Sequence, residues 1–300
     1  MDFKKDIILP SWKLIAQDSK VKKFYFLPGV LWILFLTLLL FYQVVYTYVV
    51  LAHKKSEAFS IILKFFEQDY FWEVVIVALI FLFLYIILTP IFEWALIKYI
   101  SKKDAGEEKI SSSDMFWVGL FNFFSIFEYD QMFSKFRLIS ILNFYLFTLR
   151  LLWTEYLNYI SWTYFALLLF SILINIFFSY AKYEIVLWWK KVFESAGSSA
   201  KIAVLNLKTT IKLYFMIFLL NFRVIFNFII LLIFPFLMAL AVGYFTTKIF
   251  ATISIIILVI LFVWLLLFVS YLSAVLEIFT TSLWYHAWKY WIKKVKDVEK

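Results

Sequence analysis

Three acidic residues stand where long apolar runs give out: Glu93, Glu184 and Glu277. Each is followed by a basic stretch, Lys102-Lys103, Lys190-Lys191 and Lys293-Lys294 in turn. Arg137 and Arg223 each follow a Phe and open an apolar run, while Asn143, Asn175, Asn221 and Asn227 lie within or at the edge of such runs. Gln43 lies in the first of them. Ionisable groups at membrane depth cost free energy and mark functional candidates. Residues of these types can form ion pairs, hold an anion or join helices through amide hydrogen bonds. Two arrangements fit the spacing. In one, each Glu sits at the inner interface, paired with Arg137, Arg223 or a Lys of a neighbouring helix. In the other, Glu and Arg alternate along a cavity open to the cytoplasm. The Asn residues read as helix-to-helix glue, worth about 0.6–2 kcal/mol per contact, with a polar path as the alternative. The candidate intramembrane residues are therefore Glu93, Arg137, Asn143, Asn175, Arg223, Asn227 and Glu277.

Catalytic chemistry finds little support. The chain has no Cys, two His (His53 and His286) and five Gly. Thiolate metal sites, disulfides and Cys nucleophiles are excluded, and a His-based metal cluster has too few ligands. Neither the phosphate-cradling glycine signatures nor the zinc-protease and nucleophile-elbow signatures occur. Glu107-Glu108 and the Glu128/Asp130 pair read as solvated faces rather than metal ligands. No cofactor is expected. The scarcity of Gly also weighs against a transporter built from several broken helices, although Pro90 and Pro235 offer two kinks.

These residues are positioned by segments made for lipid. The chain is 65% hydrophobic and 23% aromatic, with 13 Trp and 38 Phe, and its mean hydropathy is +0.91. A water-facing exterior would need more polar surface than that leaves. Phe24–Ala52, Tyr156–Ala181, Val224–Thr247 and Ile249–Leu276 each run 24 residues or more without a charge. About 20 apolar residues cross a bilayer as a helix. The pattern predicts an all-α polytopic membrane protein with six transmembrane helices, near 24–52, 74–98, 138–149, 157–181, 222–246 and from 249 past 276. The third is short, only twelve uncharged residues from Leu138 to Leu149, and works if Arg137 and Arg150 snorkel to opposite interfaces. The first run is too long for a signal peptide and lacks a small-residue cleavage site, so it reads as a retained span.

Charge sets an orientation. Of 29 Lys and Arg, twenty-four fall in 1–23, 98–137, 182–223 and 289–300, and five fall elsewhere. By the positive-inside rule both termini face the cytoplasm of a multi-pass cell-membrane protein. Removing the third span would ruin this asymmetry. The net charge of +9 lies beside apolar spans, so anionic lipid headgroups are the expected partner rather than nucleic acid. The gaps themselves read as interfacial amphipathic helices. One begins at Trp12, capped by Ser11. One covers 115–128, opened by Asp114. One covers 200–220, after Ser198 and Ser199. The 57–69 gap reads as an outer counterpart. A Ser-rich cap, an amphipathic helix, a Phe-Arg pair and a span recur, which predicts three parallel hairpin modules at about 1–99, 100–190 and 191–300 within a single membrane domain.

The run SWKLIAQDSKVKKFYFLPGVLWIL, with Lys22-Lys23 and then Leu27-Pro28, resembles the opening of two prokaryotic six-span groups. One comprises uncharacterised proteins related to the membrane part of glycerophosphodiester phosphodiesterases. The stretches EWALIKYISKKDAGEEKISSSDMFWVGLFNFFSIF, VFESAGSSAKIAVLNLKTT and LEIFTTSLWYHAWKYW are similar in outline to that group. The other is the etoposide-induced-protein-like family that includes sulfate permeases. ILTPIFEWALIKYISKK resembles its second span, although the Pro-Phe element reads Pro90-Ile91-Phe92 here. The first resemblance implies an integral membrane protein of unknown role, without demonstrated catalysis in this domain, and the second implies anion uptake. The expected role is accordingly non-enzymatic: structural, lipid-organising or partner-binding. The alternative is a transporter or channel for a small anion or other solute.

Overall fold

Backbone N–H and C=O groups in hydrocarbon must bond within their own segment, and a helix does this for every residue it contains. In the computed structural model, which describes residues 2–51, 60, 63–64, 66–107, 110–152, 156–244 and 248–298, all the elements are helical and no strand occurs among the described residues. A π-helical turn at Lys4–Ile8 leads into α1 (Leu9–Gln17), followed by α2 (Ser19–Phe24) and α3 (Phe26–Leu51). Then come α4 (Phe71–Asp104), α5 (Ser112–Phe133), α6 (Leu138–Leu152), α7 (Leu157–Phe178) and α8 (Ala181–Trp188). The chain closes with α9 (Val192–Leu205), α10 (Leu207–Tyr244) and α11 (Lys248–Val298). At 1.5 Å per residue, α11 is about 75 Å long, well beyond the roughly 30 Å hydrocarbon core of a bilayer.

Three described helical stretches are long and apolar enough to cross a membrane: Phe71–Asp104, Leu157–Trp188 and Thr252–Lys293. A fourth results if α9 and the start of α10, bent by 98°, count as one broken span. Phe26–Leu40 and Ser140–Leu149 are apolar but shorter. The outward faces of the long helices are apolar, with Val77, Phe83, Trp162, Phe165, Ile249 and Trp264 exposed. Such faces need lipid around them, and the chain is a membrane protein on that ground.

Several local expectations change. Ser11 does not cap a helix; it lies inside α1, buried, and its hydroxyl donates to the Ile7 carbonyl at 2.8 Å. The opening of α5 belongs to Ser111 rather than Asp114, because the Asp114 N–H donates to Ser111 Oγ at 3.3 Å. The single helix expected at 200–220 is divided: α9 ends at Leu205 and α10 begins at Leu207, with the break at Asn206. There the Asn206 N–H donates to Ile202 and Ala203 carbonyls, and its own carbonyl accepts from Thr209 and Thr210. One residue thus ends α9 and starts α10. Of the outer helix expected at 57–69, residues 57–59, 61–62 and 65 lie outside the described residues, while 60, 63, 64 and 66 are helical. Pro90 leaves α4 continuous. Just before it the Thr89 hydroxyl donates to the Tyr85 carbonyl, one turn back, at 2.7 Å.

Contacts divide the chain into two compact units. The first comprises Met1–Val21, Pro90–Leu219 and Ile278–Lys300. Its core carries Trp94, Tyr99, Tyr180, Ile185, Ile202 and Leu213, all essentially inaccessible. In it α9 packs on α7 and α8, α6 on α7, and α5 on α8. The second comprises Lys22–Thr89 and Leu220–Glu277. Ile33, Leu266 and Val269 form its buried centre, flanked by Trp32, Leu34, Phe262 and Leu265. A pocket of about 290 Å³ there is lined by Leu34, Thr37, Leu38, Phe81, Phe262 and Leu266.

Candidate functional site: a buried ladder of alternating charge

Glu93 lies one turn beyond Pro90, where α4 is buried on all sides from Pro90 to Ile97. The close crossing of α4 and α5 allows this. Gly119 of α5 sits so near that a Cβ on it would fall 2.5 Å from the Ile91 carbonyl oxygen. Near the far end of α5, Asp130 enters the same region, and α8 supplies Lys182. The Lys182 ammonium bonds Glu93 directly and lies 3.6 Å from Asp130 Oδ1. Asp130 Oδ1 in turn accepts from Arg137, whose guanidinium Nη2 is 2.6 Å away.

The result is a chain of four charges in the order Glu93, Lys182, Asp130, Arg137. It is neutral in sum, with three nearly dry members and one wet end at Arg137. The side chains of Glu93, Asp130 and Lys182 are 11%, 14% and 21% exposed, against 46% for Arg137. A buried charge is tolerated only when paired and hydrogen-bonded, and here each has an opposite neighbour. Lys182 Nζ also lies 5.4 Å from the centre of the Tyr129 ring. Burial pushes the Tyr129 phenol up, which keeps it a donor to the Phe178 carbonyl at 2.9 Å.

Amide and hydroxyl groups anchor the wet end. Asn175 Nδ2 donates to the Phe136 carbonyl at 2.7 Å and to the Ser171 carbonyl at 2.8 Å. The Ser171 hydroxyl also donates to the Phe136 carbonyl. Tyr214 of α10 donates to the Asn175 carbonyl at 2.7 Å. These bonds fix the backbone just before Arg137, so the guanidinium is held where Asp130 can accept from it.

A second buried carboxylate follows a similar rule. Glu184 is fully inaccessible, with Lys190 Nζ 2.8 Å from its Oε2 and Ser198 Oγ 2.6 Å from its Oε1. The chain reverses at Trp189, which adopts φ 56 in the left-handed region, a conformation costing roughly 1–2 kcal/mol for a non-glycine residue. The Trp189 ring lies 5.7 Å from that of Trp94. The reversal brings Lys190 back over Glu184. Ser199 donates to the Phe177 carbonyl at 2.7 Å and accepts from the Tyr180 N–H at 3.0 Å. The serines expected to precede a surface helix therefore fasten α9 to α7 and α8 from within it.

Two further carboxylates act as fasteners. Asp18 caps α2 through the N–H groups of Lys20 and Val21, and its other oxygen accepts from Tyr99 at 2.7 Å. Asp104 accepts from Tyr285 at 3.0 Å and pairs with Lys289.

Of the seven candidate residues, the structure joins Glu93 and Arg137 through Lys182 and Asp130, and it sets Asn175 beside Arg137 through Phe136. Asn143 is half-buried on α6, and Glu277 is exposed on α11 in the second unit. The side chains of Arg223 and Asn227, both on α10, lie outside the described residues. Sequence reasoning missed the two central rungs. In sequence Asp130 reads as part of a solvated acidic pair, and Lys182 only as one of the cytoplasmic charges. The available signal was Lys182 standing at the end of an apolar run, two residues before Glu184. Neither described pocket is lined by a rung of the ladder. Among the described residues no group of three or more His, Asp or Glu is placed to hold a metal ion.

The fold and the site thus define an all-helical membrane protein with a self-compensated polar cluster. No protein-family model, curated protein or solved structure matches this chain.

Proposed function

We propose that the chain is a non-enzymatic, six-span protein of the cell membrane, with both termini in the cytoplasm, whose role is to organise lipid or hold a partner at the cytoplasmic face. The six spans in this reading are α3, α4, α6, the α7–α8 run, α10 and α11, arranged as three hairpins. The short span α6 is about 22 Å long at 1.5 Å per residue, and Arg137 at its start extends it by snorkelling. Support for pairing α6 with α7 comes from their polar contacts. Tyr145 meets Ser161 at 3.1 Å, and Thr148 meets Tyr164 at 2.7 Å. The interfacial helices α1, α5 and α9 then lie on the cytoplasmic leaflet beside most of the Lys and Arg residues.

The observation that carries the reading is the closure of the charge ladder upon itself. Glu93, Asp130 and Lys182 are each engaged by an opposite charge. A residue that hands on an anion must exchange its partner during transport, and a saturated, half-dry pair resists that. The test is purified chain in proteoliposomes with chloride, sulfate or phosphate as solute. Flux equal to that of empty vesicles is expected. Protein-dependent flux overturns the reading, and flux that vanishes in Arg137→Ala assigns the path to the ladder. Topology has its own test, made clean by the absence of native Cys. Single cysteines placed beside Lys190 and Lys293 should both label from the cytoplasmic side. Labelling from opposite sides rejects the six-span arrangement.

A further inference from the structure

The first unit contains a second polar feature, away from the ladder. Past Glu93 on α4 and past Glu277 on α11, the sequence turns from aliphatic to a mixture of Trp, Tyr and Lys, the composition of a membrane–water boundary. There a pocket of about 420 Å³ is lined by Lys98 and Ser101 of α4, Leu187 and Trp188 of α8, and Tyr285, Trp288, Lys289, Ile292 and Lys293 of α11. Three ammonium groups share it, and no carboxylate is among its lining residues.

Their charges are not equal in effect. Lys289 is paired with Asp104, which Tyr285 also holds. Lys98 and Lys293 have no ion-pair partner among the described residues, although Lys98 is half-buried. An ammonium group drawn partly out of water without a counter-ion is unfavourable, so the pocket carries about two uncompensated positive charges. Its walls are aromatic, Trp188 and Trp288 lying 5.2 Å apart between ring centres. Trp288 is 4% exposed, and its indole N–H meets no acceptor among the described residues. Half-buried Lys98 and exposed Lys293, neither with an ion-pair partner among the described residues, stand with the Ser101 hydroxyl, which bonds Tyr285 of the same wall, as a polar set suited to a compact dianion.

We propose that this pocket binds a phosphate monoester, the headgroup of an acidic phospholipid seated with its phosphate between Lys98 and Lys293 and its glycerol end against Trp188 and Trp288. A phosphate monoester carries about −1.5 to −2 at pH 7, matching the uncompensated charge. A phosphodiester headgroup carries one negative charge and leaves half of it unanswered. Two observations favour a lipid over free phosphate. The aromatic wall suits the region where acyl chains meet headgroups, and the pocket lies one to five helical turns past the ends of two long apolar runs. The assignment rests on the lipid-organising reading and names the ligand for it.

The test uses the full chain in neutral detergent micelles, with bound ligands counted by native mass spectrometry. The probes are short-chain phosphatidic acid, short-chain phosphatidylcholine and inorganic phosphate. Phosphatidic acid is expected to bind at one site, well above phosphatidylcholine. Lys98→Gln with Lys293→Gln should weaken it by roughly thirtyfold, from the general worth of one lysine near an anionic headgroup. Lys98→Arg with Lys293→Arg should retain it, and Lys212→Gln, which removes a charge elsewhere on α10, should leave it unchanged. Tight inorganic phosphate binding that the Gln pair abolishes upholds the phosphate site and assigns it to the free ion. Phosphatidic acid binding that survives the Gln pair, or equal binding of phosphatidylcholine, overturns the proposal. Anion flux in vesicles would sink the non-transport reading and leave this result standing, so the two failures are distinguishable.

Discussion

The two units hold themselves together by different means. In the first, polar groups do the joining. The ion pairs between described residues all fall within it. Helix ends are fastened by Asp18, Asp104, Glu184 and Ser199. In the second, the joining is apolar and by close approach. Ile33, Leu266 and Val269 make a small centre. Phe35 stacks on Tyr85 at 4.5 Å. Gly29 sits so close to α11 that a Cβ on it would fall 2.7 Å from the Ser270 carbonyl oxygen. The contrast follows from the solvent each sequence expects. Where lipid surrounds apolar helices, burying apolar surface gains little, because the tails are as apolar as Leu, and association relies on close packing. Where Lys, Trp and Tyr gather, water is near enough to demand that buried charges be compensated.

The largest effect should come from unbalancing the ladder. Lys182→Met leaves Glu93 without its partner and removes one of the two partners of Asp130. Breaking a buried ion pair from one side destabilises by about 3–5 kcal/mol, and reversible unfolding in mixed micelles should show a loss of that order. Glu93→Gln combined with Lys182→Met should recover most of it, since Asp130 keeps Arg137 at 2.6 Å. A double variant as damaged as Lys182→Met alone would mean that the ladder contributes by shape rather than by charge.

Much of the fold was legible from the sequence because lipid imposes simple rules. The all-helical class followed from uncharged runs that leave no room for open sheet edges. The short amphipathic segments near Trp12 and Met115 do lie on helices. Boundaries were less legible. The apolar pattern from Ile202 to Phe215 runs across Asn206 without a change of period, and only the local bonds of that residue turn the chain. The ladder was legible by halves. Glu93 and Arg137 stand out because each interrupts an apolar run. Asp130 and Lys182 do not, because each has charged neighbours in sequence and only packing separates it from them. Ser198 and Ser199 read in sequence as the start of a helix but bond from inside one, since a Ser at a helix start and a Ser bonding backwards from inside a helix look alike in sequence.

Next in size come the two glycines, one in each unit. Gly119→Ala would bring a Cβ within 2.5 Å of the Ile91 oxygen, and Gly29→Ala within 2.7 Å of the Ser270 oxygen. Both neighbours are backbone, so a whole helix must give way, and overpacking of this kind costs about 1–3 kcal/mol. The comparison predicts different spreads. Around Gly119 the ion pairs between α4 and α8 resist separation, so amide exchange should quicken mainly near α5. Around Gly29 the centre that joins α3 to α11, Ile33 with Leu266 and Val269, is apolar and holds no ion pair, so exchange should quicken in both helices around these residues. Equal, local responses at the two sites would erase the distinction between the units.

The smallest effect, and the sharpest comparison, lies with the third of the span-closing glutamates. Glu93 and Glu277 occupy equivalent places in sequence, each ending a long apolar run before a basic stretch. One is buried against Lys182 in the first unit; the other is exposed in the second. Glu277→Gln should therefore shift unfolding by no more than about 0.5 kcal/mol, the usual range for an exposed substitution, while Glu93→Gln removes one side of a buried pair. Both variants keep shape and volume and change only charge, so the difference between them isolates what the surroundings add. If Glu277→Gln proved as damaging as Glu93→Gln, the second unit would also depend on buried charge, and the division between a polar and an apolar mode of assembly would fail.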